Sequence, residues 1–375
     1  MENPSAEKDS RPPRSKRRWY QFRLRTLLLF VLLVSVGMSW FTVKLHRARK
    51  QREAVEAIEK SGGEVFYDYQ AVGDGFNLSV EPPGPAWLRE MLGVDFFCDV
   101  REVFVKSDAE AEHLEGLAGL EQVFSGSEIT DAALKYLKGL THLESLDISY
   151  TGITDDGLTH LAAVPRLKSL SLQGTSITDS GLKRLKKLTH LEALDLSHTP
   201  ITDAGLRHLE GWTGLKRLRL ENTAVTDSGV ERLRGMDSLR SLDLTSTSVT
   251  DAVLEHLEGL ANLEDLSLGN TNVTDAALER LKGLPSLRLL SLSYTSITDV
   301  GLGHLKVLSN LEHLDFMGTG ITDAGLEHLK GLRRLRSLWP METSVTDEGI
   351  RKLEQALPDC KILYMFTAPV GQTEG

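Results

Sequence analysis

Cysteine is nearly absent: Cys98 and Cys360 are the only two in 375 residues. They fall at opposite ends of a long repeat array, so their Cα atoms cannot approach within the roughly 7 Å that a disulfide needs. That spacing excludes a disulfide framework, offers no metal set, and gives no sign of an oxidising compartment. Aromatic residues are also sparse, at 6%, which denies most of the chain the flat platforms that sugar recognition uses. No glycine-rich phosphate loop and no zinc-protease motif occur. Basic residues are scarce beyond position 52. Residues 1–52 hold 13 Lys/Arg against 3 Asp/Glu, while the rest carries 30 against 50. A body this acidic argues against nucleic-acid binding, which needs a positive groove or stripe; the basic end suits anionic lipid. What is present, 41% hydrophobic and 26% charged residues, is the composition of a folded chain.

The apolar run TLLLFVLLVSVGMSWFTV covers Thr26 to Val43 without a charge. As a helix it reaches about 27 Å, close to the ~30 Å hydrocarbon core of a bilayer. Trp19, Tyr20 and Trp40 stand where interfacial aromatics belong. A transmembrane anchor is the expectation. A cleaved signal peptide, with Ser35-Val36-Gly37 as a poor cleavage match, and a buried helix are the alternatives. Seven basic residues between Arg11 and Arg25 flank one side and five from Lys44 to Arg52 flank the other. The positive-inside rule then puts the N-terminus in the cytoplasm and the remainder outside it. Residues 44–60 lack glycine and proline and read as a juxtamembrane helix ended by Gly62-Gly63; 63–104 read as a capping module.

From there one pattern governs. Ile/Val-Thr-Asp begins at 129, 153, 177, 201, 225, 249, 273, 297, 321 and 345, an unbroken spacing of 24, after a weaker copy from Val105 to Glu128. Leu134, Leu137 and Leu140 give a short helix an apolar stripe, and Leu143, Leu146 and Ile148 come next as L-x-x-L-x-L, whose last two positions alternate as in a half-buried strand. Thr130 and Asp131 offer N-capping oxygens. A glycine usually stands two residues after that Asp, where close approach to a neighbour excludes a side chain. One unit cannot bury its leucines alone, so the units must stack, strands into a parallel sheet and helices outside.

L-x-x-L-x-L-x-x-T/N is the leucine-rich-repeat signature, and the array resembles bacterial repeats of the D-x-G-L-x-x-L type. The implied fold is an α/β right-handed solenoid of about eleven parallel strands on the concave side, helices on the convex side, over residues 105–366, preceded by one transmembrane helix and succeeded by a tail at 367–375. Thr151 and its eight equivalents stand where many such repeats have Asn, and a hydroxyl ladder is expected there. More closely, the chain resembles the anchored leucine-rich-repeat proteins of planctomycete bacteria: F-R-L-R-T-L-L-L at Phe22–Leu29, W-L-R at Trp87–Arg89, G-x-D-F-F at Gly93–Phe97, and L-P-x-C-K at Leu357–Lys361. The repeats also resemble those of F-box substrate receptors, but an apolar anchor occupies the place of an F-box.

Stacking turns each repeat position into a column. One runs Glu144, Lys168, Glu192, Lys216, Arg240, Glu264, Arg288, Glu312, Arg336, with opposite signs at every step but one, a device for register. His160, His208, His256, His304 and His328, interrupted by Arg184, Arg232 and Arg280, read as a solvated convex face, since helices 8–10 Å apart cannot converge on zinc. On the concave face, Ser197, His198 and Asp195 are too regular to form a catalytic triad. No catalytic, cofactor or metal role is expected; binding to a protein partner is, with a carbohydrate or small-ligand receptor as the alternative. The expected docking surface is the C-terminal end of the concave face, where Ser, Asp, Thr and Ala give way to His313, Met317, Trp339, Met341, Ile362, Tyr364 and Phe366. Pro340 there is expected to weaken the join with the last strand.

Overall fold

The computed structural model describes residues 17–72 and 75–363. It opens with a single helix, α1 (Arg17–Ser61). The anchor and the juxtamembrane helix expected separately are thus one continuous element, because no glycine or proline interrupts the run except Gly37, which meets no neighbour. Residues Leu24–Ser61 satisfy the length and mean hydropathy (2.2) of a membrane-crossing helix, and the apolar window is fully exposed. The C-terminal part of α1 behaves differently. Ala48, Gln51, Ala54, Val55 and Ile58 are buried, and Ala54, Val55 and Ile58 belong to the same continuous core as the repeat leucines. Gly62, at φ +96°, stops the helix, and the Gly63 N–H returns to Ile58 O at 2.9 Å.

Thirteen strands form one sheet, ordered as in sequence apart from two short strands. β1 (Glu64–Tyr67) pairs antiparallel with β4 (Val100–Ser107) at the N-terminal edge, so this edge is closed by a strand of opposite direction. β2 (Ala71–Val72) and β3 (Gly75–Phe76) pair separately. From β4 on, every pairing is parallel, running through β5 (Gln122–Glu128) and β6 (Ser145–Asp147). It continues to β14 (Ser337–Trp339) and β15 (Lys361–Ile362). Two strands more than expected come from residues read as a capping module.

Within the repeats the register is a shift of 24. Leu218, Leu242 and Leu266 stand abreast and are at most 1% exposed, as alternate strand positions facing the helices must be. Each helix is short, α-helical at Asp131–Leu134 and 3-10 at Lys135–Leu137, for example. The capping threonine accepts from the N–H two residues on, as Thr130 Oγ1 does from Ala132 at 3.3 Å.

The next residue, an aspartate, works between repeats, not within its own helix. Asp131 accepts from the Thr154 N–H at 2.8 Å and the Thr154 hydroxyl at 2.6 Å, and the same two bonds recur down to Asp323 and Thr346. This is the inter-repeat ladder. The expected ladder at Thr151 is not: its hydroxyl donates to Ile148 O of its own repeat at 2.7 Å, and Thr175, Thr199 and the others do likewise. The hydroxyl is too short to span the gap an Asn amide bridges. The recurrent glycine serves the Asp ladder, because a Cβ at Gly157 would lie 2.3 Å from Asp131 Oδ1.

Candidate functional site

The concave face is built by the first and third residue of each three-residue strand. Its aspartates are largely turn elements. Asp147, Asp195, Asp243 and Asp315 each accept from the backbone N–H two residues on, at 2.9–3.0 Å, the geometry of an Asx turn that sends the chain off the sheet. Beyond the turn, one residue per repeat is left-handed: Tyr150, Gly174, His198, Asn222, Ser246, Asn270, Tyr294, Gly318 and Glu342.

At the C-terminal end a cavity of about 220 Å³ is lined by Leu289, Leu290, Ser291, His313, Asp315 and Trp339. His313 Nδ1 meets Ser337 Oγ at 2.5 Å, and its ring lies 6.4 Å from the Trp339 ring, centroid to centroid. Ser291 Oγ donates to Asp315 at 3.0 Å. The Ser337 bond fixes the imidazole beside the indole, and the slot between them is walled by Leu289 and Leu290 with the Asp315 carboxylate at one side. Met317 and Met341 continue the same strand faces, both half-buried; the Gly318 N–H binds Met341 O at 2.9 Å, keeping the two repeats in step. Burial holds the neighbouring Asp265 carboxyl above its ordinary value, with Glu264 adding to the effect and Arg288 and His313 opposing it.

The structure brings His313 and Trp339 together; Met317 and Met341 follow on the same strand faces and are not among the side chains lining the cavity. It does not bring Ile362 with them. Ile362 pairs with Leu338, in the column of buried leucines, and packs against the core; the Leu363 N–H donates to Leu338 O at 2.8 Å. The cause is a one-residue difference in register, which moves a side chain to the opposite face. Tyr364 and Phe366 lie outside the described residues. Pro340 is buried and has no N–H, so the bond that Phe316 N makes to Trp339 O at 3.2 Å has no counterpart one repeat later. The join with β15 consists of two residue pairs.

A second concavity, of about 540 Å³, lies away from the expected docking surface. It lies over β6 to β9 (β9 being Arg217–Arg219) and has a small-residue floor, Ser169, Ser171 and Ala193, between Tyr150 and the pair Arg217 and Arg219. Asp147 and Ser149 share a 2.5 Å bond, Ser149 reaches Ser171 at 2.7 Å, and Arg219 reaches Asp195 at 3.4 Å. Tyr150 is 59% exposed, laid against Gly174, where a Cβ would fall 2.4 Å from the ring. Tyr294 and Gly318 repeat this arrangement. Aromatic platforms are therefore not confined to the C-terminal end. The available signal was a tyrosine with a glycine 24 residues on.

The charged column forms ion pairs: Lys168 with Glu144 and Lys216 with Glu192, each at 2.8 Å, Arg240 with Glu264, and Arg288 with Glu312 at 3.0 Å. The basic side chains are about half exposed, while the carboxylates range from 43% at Glu192 to 18% at Glu312; the exposed pairs are limited to about 0–1 kcal/mol each. The convex histidines are exposed or half-exposed. Among the described residues no group of three or more His, Cys, Asp or Glu is placed to hold a metal ion.

Family comparison agrees with this architecture. Leucine rich repeat families match residues 237–297, then 139–162 and 307–330, and a two-copy form matches 165–211. No curated protein matches the chain. Among solved structures, an internalin from Listeria monocytogenes is 21% identical over 75% of this chain and 92% of its own, with a TM-score of 0.49. Internalin C2 from the same organism is 27% identical over 62% and 84%, at 0.39. The mouse RP105/MD-1 complex is 19% identical over 70% of this chain and 49% of that one, at 0.48. The parallel sheet, its 24-residue register and the repeat matches together define a leucine-rich-repeat protein.

Proposed function

We propose that the chain is a non-catalytic interaction scaffold, anchored to a membrane by residues 26–43, that docks a protein partner at the C-terminal end of its concave face. The observation that carries this reading is the change in that face. Serines, aspartates and threonines line most of it, whereas His313 and Trp339 stand with Leu289 and Leu290 around a slot at its end, and the half-buried Met317 and Met341 follow on the adjoining turns. Binding energy concentrates in such partly buried aromatic and thioether side chains. The seven-to-five excess of basic residues before the apolar run supports a cytoplasmic N-terminus and an extracytoplasmic array. The F-R-L-R-T-L-L-L start, the W-L-R and G-x-D-F-F segments and the L-P-x-C-K end support a place among the anchored planctomycete repeat proteins.

A photo-crosslinking residue at position 317 in native membranes tests the docking surface. A discrete adduct is expected from position 317 and none from position 307 on the convex side, where Val307 is exposed. Equal adducts from both faces contradict it. A second reading, a saccharide or small-ligand receptor, is favoured by Tyr150 standing over the polar concavity with Asp147, Asp195 and Arg219 below. Glycan-array binding that Tyr150→Ala abolishes would support that reading.

A further inference from the structure

Large apolar side chains are rarely exposed beyond the apolar run, and their distribution is uneven. Among the described residues after 43, Leu78, Trp87 and Met91 are 69%, 65% and 66% exposed; the entire array adds only Tyr150, Tyr294, Val300 and Val307. All three belong to the capping module. Trp87 and Met91 are four apart on α2 (Ala86–Leu92), hence on one helix face, and α2 has no buried residue.

Contacts of the turn after α2 fix the position of this surface relative to α1. α2 ends at Gly93, whose N–H returns to Arg89 O at 2.7 Å, and a 3-10 turn, Val94–Phe96, comes next. The Phe96 ring lies 5.5 Å from that of Phe41, inside the apolar run, and Lys44 Nζ is 4.9 Å from its centroid. Arg52 is tied to the same turn through Asp95 at 3.4 Å and Leu92 O at 2.9 Å. Phe41 sits about 3 Å inside the end of the run at Val43. Phe96 therefore marks the level at which apolar helix gives way to Lys44, and α2 enters this turn with its C-terminal end tied to Arg52 of the same helix.

We propose that Leu78, Trp87 and Met91 form a second membrane contact, seated in the interfacial zone of the bilayer beside α1. The proposal rests on the anchor reading above. An indole with a neighbouring thioether and an aliphatic chain suits the headgroup boundary, and Lys44 and Arg47, just past the apolar run, meet lipid phosphates. A single spanning helix leaves its load free to spin about the membrane normal and to tilt. A second contact fixed to the same rigid core sets the direction in which the concave face looks.

The test uses the full chain in phosphatidylcholine–phosphatidylglycerol vesicles. An environment-sensitive fluorophore is attached at Met91→Cys or, for comparison, at Val300→Cys. Cys98 and Cys360 are buried, their thiols pushed up to about 12 and about 11 by that burial, so they stay unlabelled. Quenching by nitroxide-bearing lipid is expected to be several-fold stronger at position 91 than at position 300. If the protein floats with the vesicles but both labels quench alike and both remain open to aqueous iodide, the second contact is wrong and the anchor stands. Failure to float overturns the anchor reading and this inference together. Met91 is exposed, so unchanged circular dichroism is expected of the variant.

Discussion

The repeat array and the capping assembly before it reach stability in opposite ways. The array repeats one solution. Its leucine columns and its Asp–Thr rungs recur every 24 residues with nearly constant distances, 2.8 and 2.6 Å for Asp131 with Thr154 and 2.8 and 2.6 Å for Asp299 with Thr322. The cap uses each contact once: Gln51 Nε2 donates to Cys98 O at 2.9 Å, Tyr67 OH donates to Asp95 at 3.0 Å, and β1 runs against the grain of the sheet. A periodic stack tolerates the loss of one rung because its neighbours carry the register, but each end needs a dedicated closure.

The largest effect should come from breaking the array's own core. Leu242 is 1% exposed between two leucine strands, so Leu242→Asp leaves a carboxylate with no partner and should cost at least several kcal/mol. Chemical denaturation should show loss of the cooperative transition, and an unchanged midpoint would refute the core assignment. Next comes the cap. Ile58 is fully buried, and Ile58→Ala should cost about 2–5 kcal/mol, with hydrogen exchange rising first in β1, β4 and β5. Uniform exchange along the whole array would argue that the cap is not a separate closure.

Asp227→Ala sharpens the comparison at a smaller scale. It removes the bonds to the Thr250 N–H (3.0 Å) and hydroxyl (2.7 Å), at a cost of about 1–2 kcal/mol. A double-mutant cycle with Thr250→Ala, which keeps the N–H, should return only the hydroxyl's share of that as coupling, and Asp203→Ala, whose rung to Thr226 is equivalent, should cost the same. Unequal rungs would deny the periodicity its energetic meaning. The smallest effect is a gain. Because the folded-state value of the Asp265 carboxyl is raised, its ionisation is harder in the folded chain, and stability falls as pH climbs from the ordinary carboxylate value through the raised one. Asp265→Asn should therefore melt slightly higher than wild type at neutral pH and equal to it below the ordinary carboxylate value.

The same contrast explains what could be read from the residues. Ten copies of Ile/Val-Thr-Asp fix the leucine core, the parallel sheet and the glycines, since each copy confirms the others. Roles shared between repeats were less legible: Thr and Asp at adjacent positions both suit an N-cap, and only geometry separates the threonine that caps from the aspartate that reaches the next unit. The cap was hidden because single-use contacts leave no period. Gln51 looks like any polar residue on a basic helix until Cys98 O and the Val100 N–H lie beside it. At the other end the phase mark fails. Cys360 precedes Ile362 by two residues where Leu335 precedes Leu338 by three, so the face of the last strand could not be assigned by counting. Of the candidate docking residues, His313 and Trp339 lie side by side, Met317 and Met341 take equivalent places one repeat apart, and Ile362 turns to the core.

Partner recognition is proposed to reside in the slot framed by His313 and Trp339, at the end of the array farthest from the apolar N-terminal helix. The most direct measurement is the combined variant Met317→Ala with Trp339→Ala in the full chain, scored for crosslinked partner in native membranes beside its melting temperature. The adduct, read from a crosslinker at position 341, is expected to fall at least tenfold, with melting within a few degrees of wild type. Full retention of the adduct in the folded variant would contradict that assignment.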